Sequence, residues 1–118
     1  MEIQNLADNL GLEVEDFKEL FELYMEATST DLNGLKAAVD AGDAEEAHKK
    51  AHSIKGSSGN LGLNELYEVA KEIDDRARAN SLNGLDVVLQ AFDEKYEKLV
   101  QEFGGLSNRR ETENDEFS

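Results

Sequence analysis

Apolar residues recur three and four positions apart along most of the chain, a spacing that places them on one face of an α-helix. The pattern predicts a short helix that ends at Gly11, followed by four long amphipathic helices. The inward-facing positions of the long helices are, in chain order, Val14, Phe17, Phe21, Tyr24, Thr28, Leu32, Leu35 and Val39; Ala44, Ala47, Ala51, Ile54, Ser58 and Leu61; Leu66, Val69, Ala70, Ile73 and Ala77; and Leu82, Leu85, Leu89, Phe92, Tyr96, Leu99 and Phe103. Because short turns connect the long helices, we predict an all-α fold: an antiparallel four-helix bundle with a short extra N-terminal helix.

Polar residues and glycines mark the helix ends. The residue expected to cap each of the last three helices stands in the turn before it: Asp43, Asn64, and Asn80 or Ser81. The pair Gly104-Gly105 is expected to end the last helix, because each glycine weakens a helix. The sequence beyond this pair is polar and without periodicity. We therefore predict a bundle over residues 1–103 and an acidic, disordered tail over residues 104–118.

The composition narrows the classes of partner. The 118 residues suffice for one domain, and the absence of cysteine excludes disulfides and thiolate metal sites. The net charge of −15 argues against binding to nucleic acid or to an anionic membrane. Because the first residues are acidic and polar, we expect no signal peptide, and no apolar run approaches the roughly 18 residues of a transmembrane helix. We expect a cytoplasmic protein that is monomeric.

The segment AHSIKGSSGN, residues 51–60, places a histidine and two glycines inside a predicted helix. On a helical wheel at about 100° per residue, His52 falls roughly 130° from the centre of the core-facing stripe. Lys55, Gly56 and Gly59 lie on the same exposed flank. Each glycine costs a helix about 1 kcal/mol relative to alanine, and packing does not explain a glycine that faces away from the core. We therefore interpret Gly56 as space left for another molecule to approach His52.

An exposed imidazole is partly neutral near neutral pH and can act as a covalent nucleophile. If His52 accepted a phosphoryl group, the ammonium group of Lys55, one turn away, would offset the added negative charge. Gly56, at the next turn, would admit the donor. The spacing His-x-x-Lys-Gly is therefore what reversible phosphoryl transfer to a helix-borne histidine would need.

These residues carry a resemblance to a known family. The motif AHSIKGSSGNLG resembles that of histidine-containing phosphotransfer (Hpt) domains of two-component phosphorelays. The preceding helix and turn, FKELFELYMEATSTDLNGLKAAVDAGD, and the following helix, LNELYEVAKEIDDRAR, resemble the corresponding parts of the family. Together the similar segments cover roughly residues 12–103.

The resemblance implies a role for each motif residue. His52 would accept the phosphoryl group through Nε2, Lys55 would steady it, and Gly56 would leave space for a response-regulator receiver domain. The chain would carry the group between receiver-domain aspartates, one of which could belong to a hybrid histidine kinase. Such a phosphocarrier has no kinase activity, nucleotide site or cofactor of its own, and the Mg²⁺ belongs to the receiver.

The resemblance also draws attention to the next helix and to an apolar surface. Where the family often has a glutamine beside the histidine, this chain has Asp74, which could accept a hydrogen bond from Nδ1–H of the ring but would repel a phosphate. From the residues alone, Asp74-Asp75 is interpreted as part of a solvated face. The family receives its partner on a partly exposed apolar patch of the first two helices. The candidates for this patch are Leu6, Leu10, Phe17 and Leu20.

Other interpretations of the histidines remain open at this stage. His48 and His52 are four residues apart, a spacing that can hold a metal ion, but no third ligand is evident and we expect no metal site. We interpret His48 as an ordinary surface residue, with adjustment of the site's charge as the alternative. Gly59 is a secondary candidate for the site. The alternative function is a bundle that binds a signalling partner as an adaptor without being phosphorylated.

Overall fold

The computed structural model of the protein describes the backbone of residues 3–116 and the side chains of residues 3–104. Five helices follow one another along the chain: α1 (Ile3–Asn9), α2 (Val14–Ala41), α3 (Ala44–Asn60), α4 (Asn64–Arg78) and α5 (Leu85–Glu116). No strand occurs within these residues, and none of the described helices has the length and apolarity needed to cross a membrane. The predicted all-α bundle with a short additional N-terminal helix is confirmed.

The direction of the helices alternates through the bundle. Tyr24 on α2 bonds to Ser58 near the end of α3, whereas Gly34, farther along α2, lies against Lys50 in the first half of α3. These two contacts require α2 and α3 to run antiparallel. Contacts that join α3 to α4 and α2 to α5 show that these pairs are also antiparallel. The helix α3 packs against both α2 and α4 and lies between them.

The helix α3 is positioned by a stripe of mostly small side chains. Ala47, Ala51, Ile54 and Ser58 are all buried, and each lies three or four residues from the next. Small residues allow the backbones of neighbouring helices to approach closely, while the apolar faces of α2 and α4 cover the stripe. Burial of this stripe fixes the rotation of α3 and thereby determines which of its residues face solvent.

The helix ends differ in part from those expected. Asp43 is the N-cap of α3, as predicted, and its side chain accepts a hydrogen bond of 3.1 Å from the amide of Glu46. Leu63 occupies the N-cap position of α4, so Asn64 is the first helical residue and not the cap. Asn80 has a positive φ of 57°, which places it in the turn, and α5 begins only at Leu85. Neither Asn80 nor Ser81 therefore caps α5.

The helix α5 continues beyond Gly104-Gly105 to Glu116, so the expected helix end at this pair is wrong. Glycine lowers helix propensity by about 1 kcal/mol but leaves the backbone hydrogen-bond donor and acceptor in place, so it does not oblige a helix to end. The side chains of residues 105–118 lie outside the described part of the chain. The predicted disorder of residues 104–118 stays a prediction.

A buried hydrogen bond ties α2 to the last turn of α3. The hydroxyl groups of Tyr24 and Ser58 lie 2.8 Å apart, and both residues are buried. Burial raises the pKa of Tyr24 to about 12, even though its hydrogen bond to Ser58 acts in the opposite direction, so the phenol stays protonated at neutral pH. The pair satisfies two polar groups that water does not reach.

Replacing Tyr24 with phenylalanine should lower the free energy of unfolding by about 1–2 kcal/mol, because the hydroxyl of Ser58 loses its buried partner. Urea denaturation followed by circular dichroism measures this change. The double variant Tyr24→Phe/Ser58→Ala should be less destabilised than the sum of the single variants, since it removes both partners together. Strictly additive losses would show that the two hydroxyl groups do not interact.

Candidate functional site

His52 lies in the middle of α3, on the face turned away from the core. Its side chain is 58% exposed, as the helical wheel predicts. Gly56 follows one turn later, and a Cβ atom built on it would meet nothing within 4 Å. The surface beside the imidazole is therefore open, and no packing within the described part of the chain requires a glycine at this position.

Asp74 of α4 lies directly behind the exposed histidine. Its side chain is only 1% exposed, so its interpretation as part of a solvated face is wrong. Nδ1 of His52 lies 3.4 Å from Oδ2 of Asp74, and Nζ of Lys55 lies 3.1 Å from the same oxygen. The interpretation fails because Asp74 faces α3, whose side chains donate the hydrogen bonds that water would donate at an exposed position.

Two further side chains reach the second oxygen of this carboxylate. His48 donates from Nδ1 to Oδ1 of Asp74, and its side chain is partly buried, so it is not an ordinary surface residue. Nε of Arg78 lies 3.4 Å from the same oxygen and 3.4 Å from Nδ1 of His48. Because Nδ1 of His48 donates its own proton to the carboxylate, this nitrogen has no free lone pair for Arg78. Arg78 therefore donates to Oδ1 of Asp74.

The electrostatics of the cluster fix the proton positions on the two rings. Burial by itself raises the pKa of the Asp74 carboxyl, but hydrogen bonds from His48, Lys55 and His52 outweigh burial and lower the pKa to about 2. The carboxylate is therefore ionised at neutral pH and can only accept hydrogen bonds. Each imidazole must then carry a proton on the Nδ1 atom that faces it, which leaves Nε2 of His52 as the ring nitrogen with a free lone pair when the ring is neutral.

Arg78 was not identified from the sequence, although a signal was present. Asp74 and Arg78 are four residues apart on α4, a spacing that brings an acid and a base together on a helix surface. Many such pairs are solvated and contribute little, so the spacing alone does not single out this one. The burial of Asp74 is what gives Arg78 its importance.

Gly59 has a different environment from Gly56. A Cβ atom on Gly59 would lie 3.2 Å from Cδ2 of Tyr67, a residue of α4. The absence of a side chain at this position therefore allows the Tyr67 ring to pack against α3. Its place in the structure is explained by contact between helices and not by access to His52.

The four candidates for an apolar docking patch separate into two groups. Leu6 and Phe17 are buried in the core and contribute no docking surface. Leu10 and Leu20 are exposed, Leu20 by 42%. Leu23, at 63%, is more exposed still and was missed, because core and surface leucines at helical spacing look alike in a sequence.

The side chains around the two histidines bear on whether their spacing could hold a metal ion. Among the side chains of residues 3–104, no group of three or more histidine, cysteine or acidic residues is arranged to hold a metal ion. Instead, both imidazole rings are directed at the Asp74 carboxylate through Nδ1.

Comparison with known proteins identifies the family to which this site belongs. The sequence pattern of the Hpt domain matches residues 19–102, which is well over half of the chain. The chain belongs to the Hpt domain family. The match includes the whole of α3 and α4, and therefore every residue of the cluster around Asp74.

A solved structure supports the assignment to the Hpt family. The protein is similar to the histidine-containing phosphotransfer protein HptB from Pseudomonas aeruginosa PAO1, with a TM-score of 0.79 and 25% sequence identity. The similarity covers 92% of this chain and 95% of HptB. Comparison with curated protein sequences gives no significant match. Membership of the Hpt family confirms the coarser functional expectation, a histidine phosphotransfer role in two-component signalling.

The ionised, buried carboxylate makes a prediction about stability at low pH. A carboxyl group whose pKa falls from 3.8 to about 2 on folding stabilises the Hpt domain above pH 4, and this contribution disappears as the pH falls towards 2. Between pH 5 and pH 2, the wild-type protein should lose about 2 kcal/mol more stability than Asp74→Asn, which has no carboxyl group to protonate. Urea denaturation at a series of pH values measures the difference.

The matched control is Asp75→Asn, which removes one negative charge from the exposed face of the same helix. It separates the effect of the buried carboxylate from that of net charge. Parallel pH dependences for wild type and Asp74→Asn would show that the hydrogen bonds of Asp74 do not stabilise its ionised form.

Proposed function

We propose that Nε2 of His52 accepts a phosphoryl group from a receiver-domain aspartate and passes it to a second receiver domain in a multistep relay. The observation that carries the proposal is the position of one imidazole ring. Its Nδ1 atom faces a buried carboxylate, its side chain is exposed, and the surface one turn away at Gly56 is open. Nε2 is therefore available as the nucleophile.

The transfer balances without a general base. The lone pair of Nε2 forms a bond to phosphorus while the bond between phosphorus and the receiver's aspartate oxygen breaks, and that electron pair returns to the receiver's carboxylate. The proton on Nδ1 stays in place, so the phosphorylated ring carries a positive charge. Asp74, at 3.4 Å from Nδ1, stabilises this charge as it develops. Transfer to the second receiver is the same step reversed.

The charge of Asp74 is compatible with a nearby phosphoryl group. The carboxylate faces Nδ1, on a different edge of the ring from Nε2, and it is already paired with Lys55 and Arg78. The phosphoryl group brings up to two negative charges. The Lys55 ammonium, whose side chain is 21% exposed, is close enough to the surface to pair with the phosphoryl oxygens. Lys55 would thus pair with both the Asp74 carboxylate and the phosphoryl group.

The proposed partner is a response-regulator receiver domain, with that of a hybrid kinase among the candidates. The receiver would supply the Mg²⁺ and most of the groups that surround the transferring phosphoryl, so the Hpt domain would need no cofactor or kinase activity of its own. It would act as a monomer in the cytoplasm. Gly56 would admit the receiver, and the exposed Leu10 and Leu20 are candidates for apolar contact with it.

The experiment that tests the proposed function is phosphoryl transfer from a ³²P-labelled receiver domain. We expect acid-labile labelling of the wild-type protein, because an N–P bond hydrolyses in acid, and no labelling of His52→Gln. The control variant Ser53→Ala/Ser57→Ala removes the neighbouring hydroxyl groups on α3 and should be labelled normally. Acid-stable label, or label retained by His52→Gln, would refute the proposal, and receiver binding without labelling would favour the adaptor alternative.

A graded series at Gly56 tests the proposed access route. Gly56→Ala should raise the stability of the bundle by about 1 kcal/mol, because its Cβ atom meets no neighbour and alanine favours the helix. Gly56→Gln should keep the fold but slow transfer by about tenfold or more, equivalent to about 1.4 kcal/mol of lost docking energy. Transfer kinetics and thermal unfolding measure the two effects separately. Equal transfer rates for all three proteins would show that Gly56 does not provide access.

A further inference from the structure

The donors around Asp74 divide between its two oxygens. Oδ2 accepts from His52 and Lys55, the two residues that would contact the phosphoryl group. Oδ1 accepts from His48 and Arg78, for which the proposed reaction has no direct role. One carboxylate thus joins the proposed reactive pair to a second pair that the Hpt motif does not include.

The second pair restricts rotation of the Asp74 carboxylate about its terminal torsion. The terminal torsion of an aspartate side chain is broad and roughly two-fold, so a carboxylate held at only one oxygen can turn. Asp74 is buried, so its carboxylate oxygens depend on side-chain donors and not on solvent. With His48 bound to Oδ1, Oδ2 remains directed at Nδ1 of His52, and the ring keeps the tautomer that leaves Nε2 unprotonated.

The second pair also has a role when Lys55 turns towards a phosphoryl group. A buried carboxylate that loses its last charged partner is strongly destabilised. Arg78 provides a positive charge at 3.4 Å from Oδ1, and His48 provides a hydrogen bond. The carboxylate therefore stays paired while Lys55 is shared with the phosphoryl oxygens.

We infer that His48 and Arg78 are positioning residues that act on His52 through Asp74: they hold one carboxylate oxygen so that the other fixes the reactive tautomer of the ring. The inference rests on the proposed function for its role in transfer. The tautomer itself is a property of the unphosphorylated protein and can be measured whether or not transfer occurs.

The first experiment measures the tautomer of His52 by ¹⁵N NMR of the imidazole nitrogens in the unphosphorylated protein. His48→Phe keeps a ring but removes the donor, and the ratio of Nδ1–H to Nε2–H forms of His52 should fall by about three- to tenfold, the factor that one hydrogen bond contributes. His48→Asn places an amide nitrogen near the position of Nδ1 and should restore the ratio.

An unchanged ratio in His48→Phe would overturn the inference. An equal fall in His48→Phe and His48→Asn would also overturn it, because the imidazole ring and not its hydrogen-bond donor would then be responsible. Circular dichroism establishes that the variants are folded. This outcome is independent of any result with a receiver domain, so failure of the positioning role and failure of the proposed function can be distinguished.

The second experiment uses a pair of arginines on α4. Arg78→Gln removes the charge beside Asp74, whereas the matched control Arg76→Gln removes an arginine that pairs with Glu72 on another part of the helix. Arg78→Gln should lower the limiting rate of transfer at saturating receiver by about threefold or more while leaving the half-saturating receiver concentration unchanged. Arg76→Gln should match the wild type. Equal rates for the two variants, or an effect of Arg78→Gln confined to half-saturation, would contradict the role of Arg78.

Discussion

The buried carboxylate of Asp74 is the interaction on which the arrangement of the site depends. An ionised group between two helices is stable only when donors surround it, and here the donors come from both sides: His48, His52 and Lys55 from α3, and Arg78 from α4. The same contacts that stabilise the charge fix the position of the histidine ring relative to α4. The hydrogen bonds that stabilise the buried charge of Asp74 therefore also orient His52, the proposed nucleophile.

The bundle supplies the precision that this arrangement needs. The small buried residues of α3 bring its backbone close to α2 and α4, and the bond between Tyr24 and Ser58 ties α3 to α2. Gly59 allows the ring of Tyr67 to pack against the same helix. With α3 fixed in rotation by its core stripe, His52 has to face solvent while its Nδ1 edge faces α4. The exposed histidine thus has a rigid support, although its own side chain is more than half exposed.

The periodicity of apolar residues predicts which face of each helix is buried. It does not predict which polar side chains of two neighbouring helices contact each other. The stripes of apolar residues predict the bundle, and the helical wheel predicts the exposure of His52 and the open surface at Gly56. The sequence pattern places Asp74 in solvent because an acidic residue is exposed by default, and three of its four donors, His48, His52 and Lys55, are distant in the sequence. Leu6 and Phe17 are wrong as candidates for the docking patch because the pattern does not separate core from exposed apolar positions in a small bundle.

The position of the phosphorus on the ring tests the central claim most directly. If Asp74 holds Nδ1 of His52, phosphorylation by a receiver domain must occur at Nε2. Correlation of ³¹P with the ¹⁵N nuclei of the imidazole in the phosphorylated protein distinguishes the two nitrogens and also distinguishes His52 from His48. The account predicts a single N–P bond at Nε2 of His52. A bond at Nδ1 of His52, or phosphorylation of His48, would contradict it.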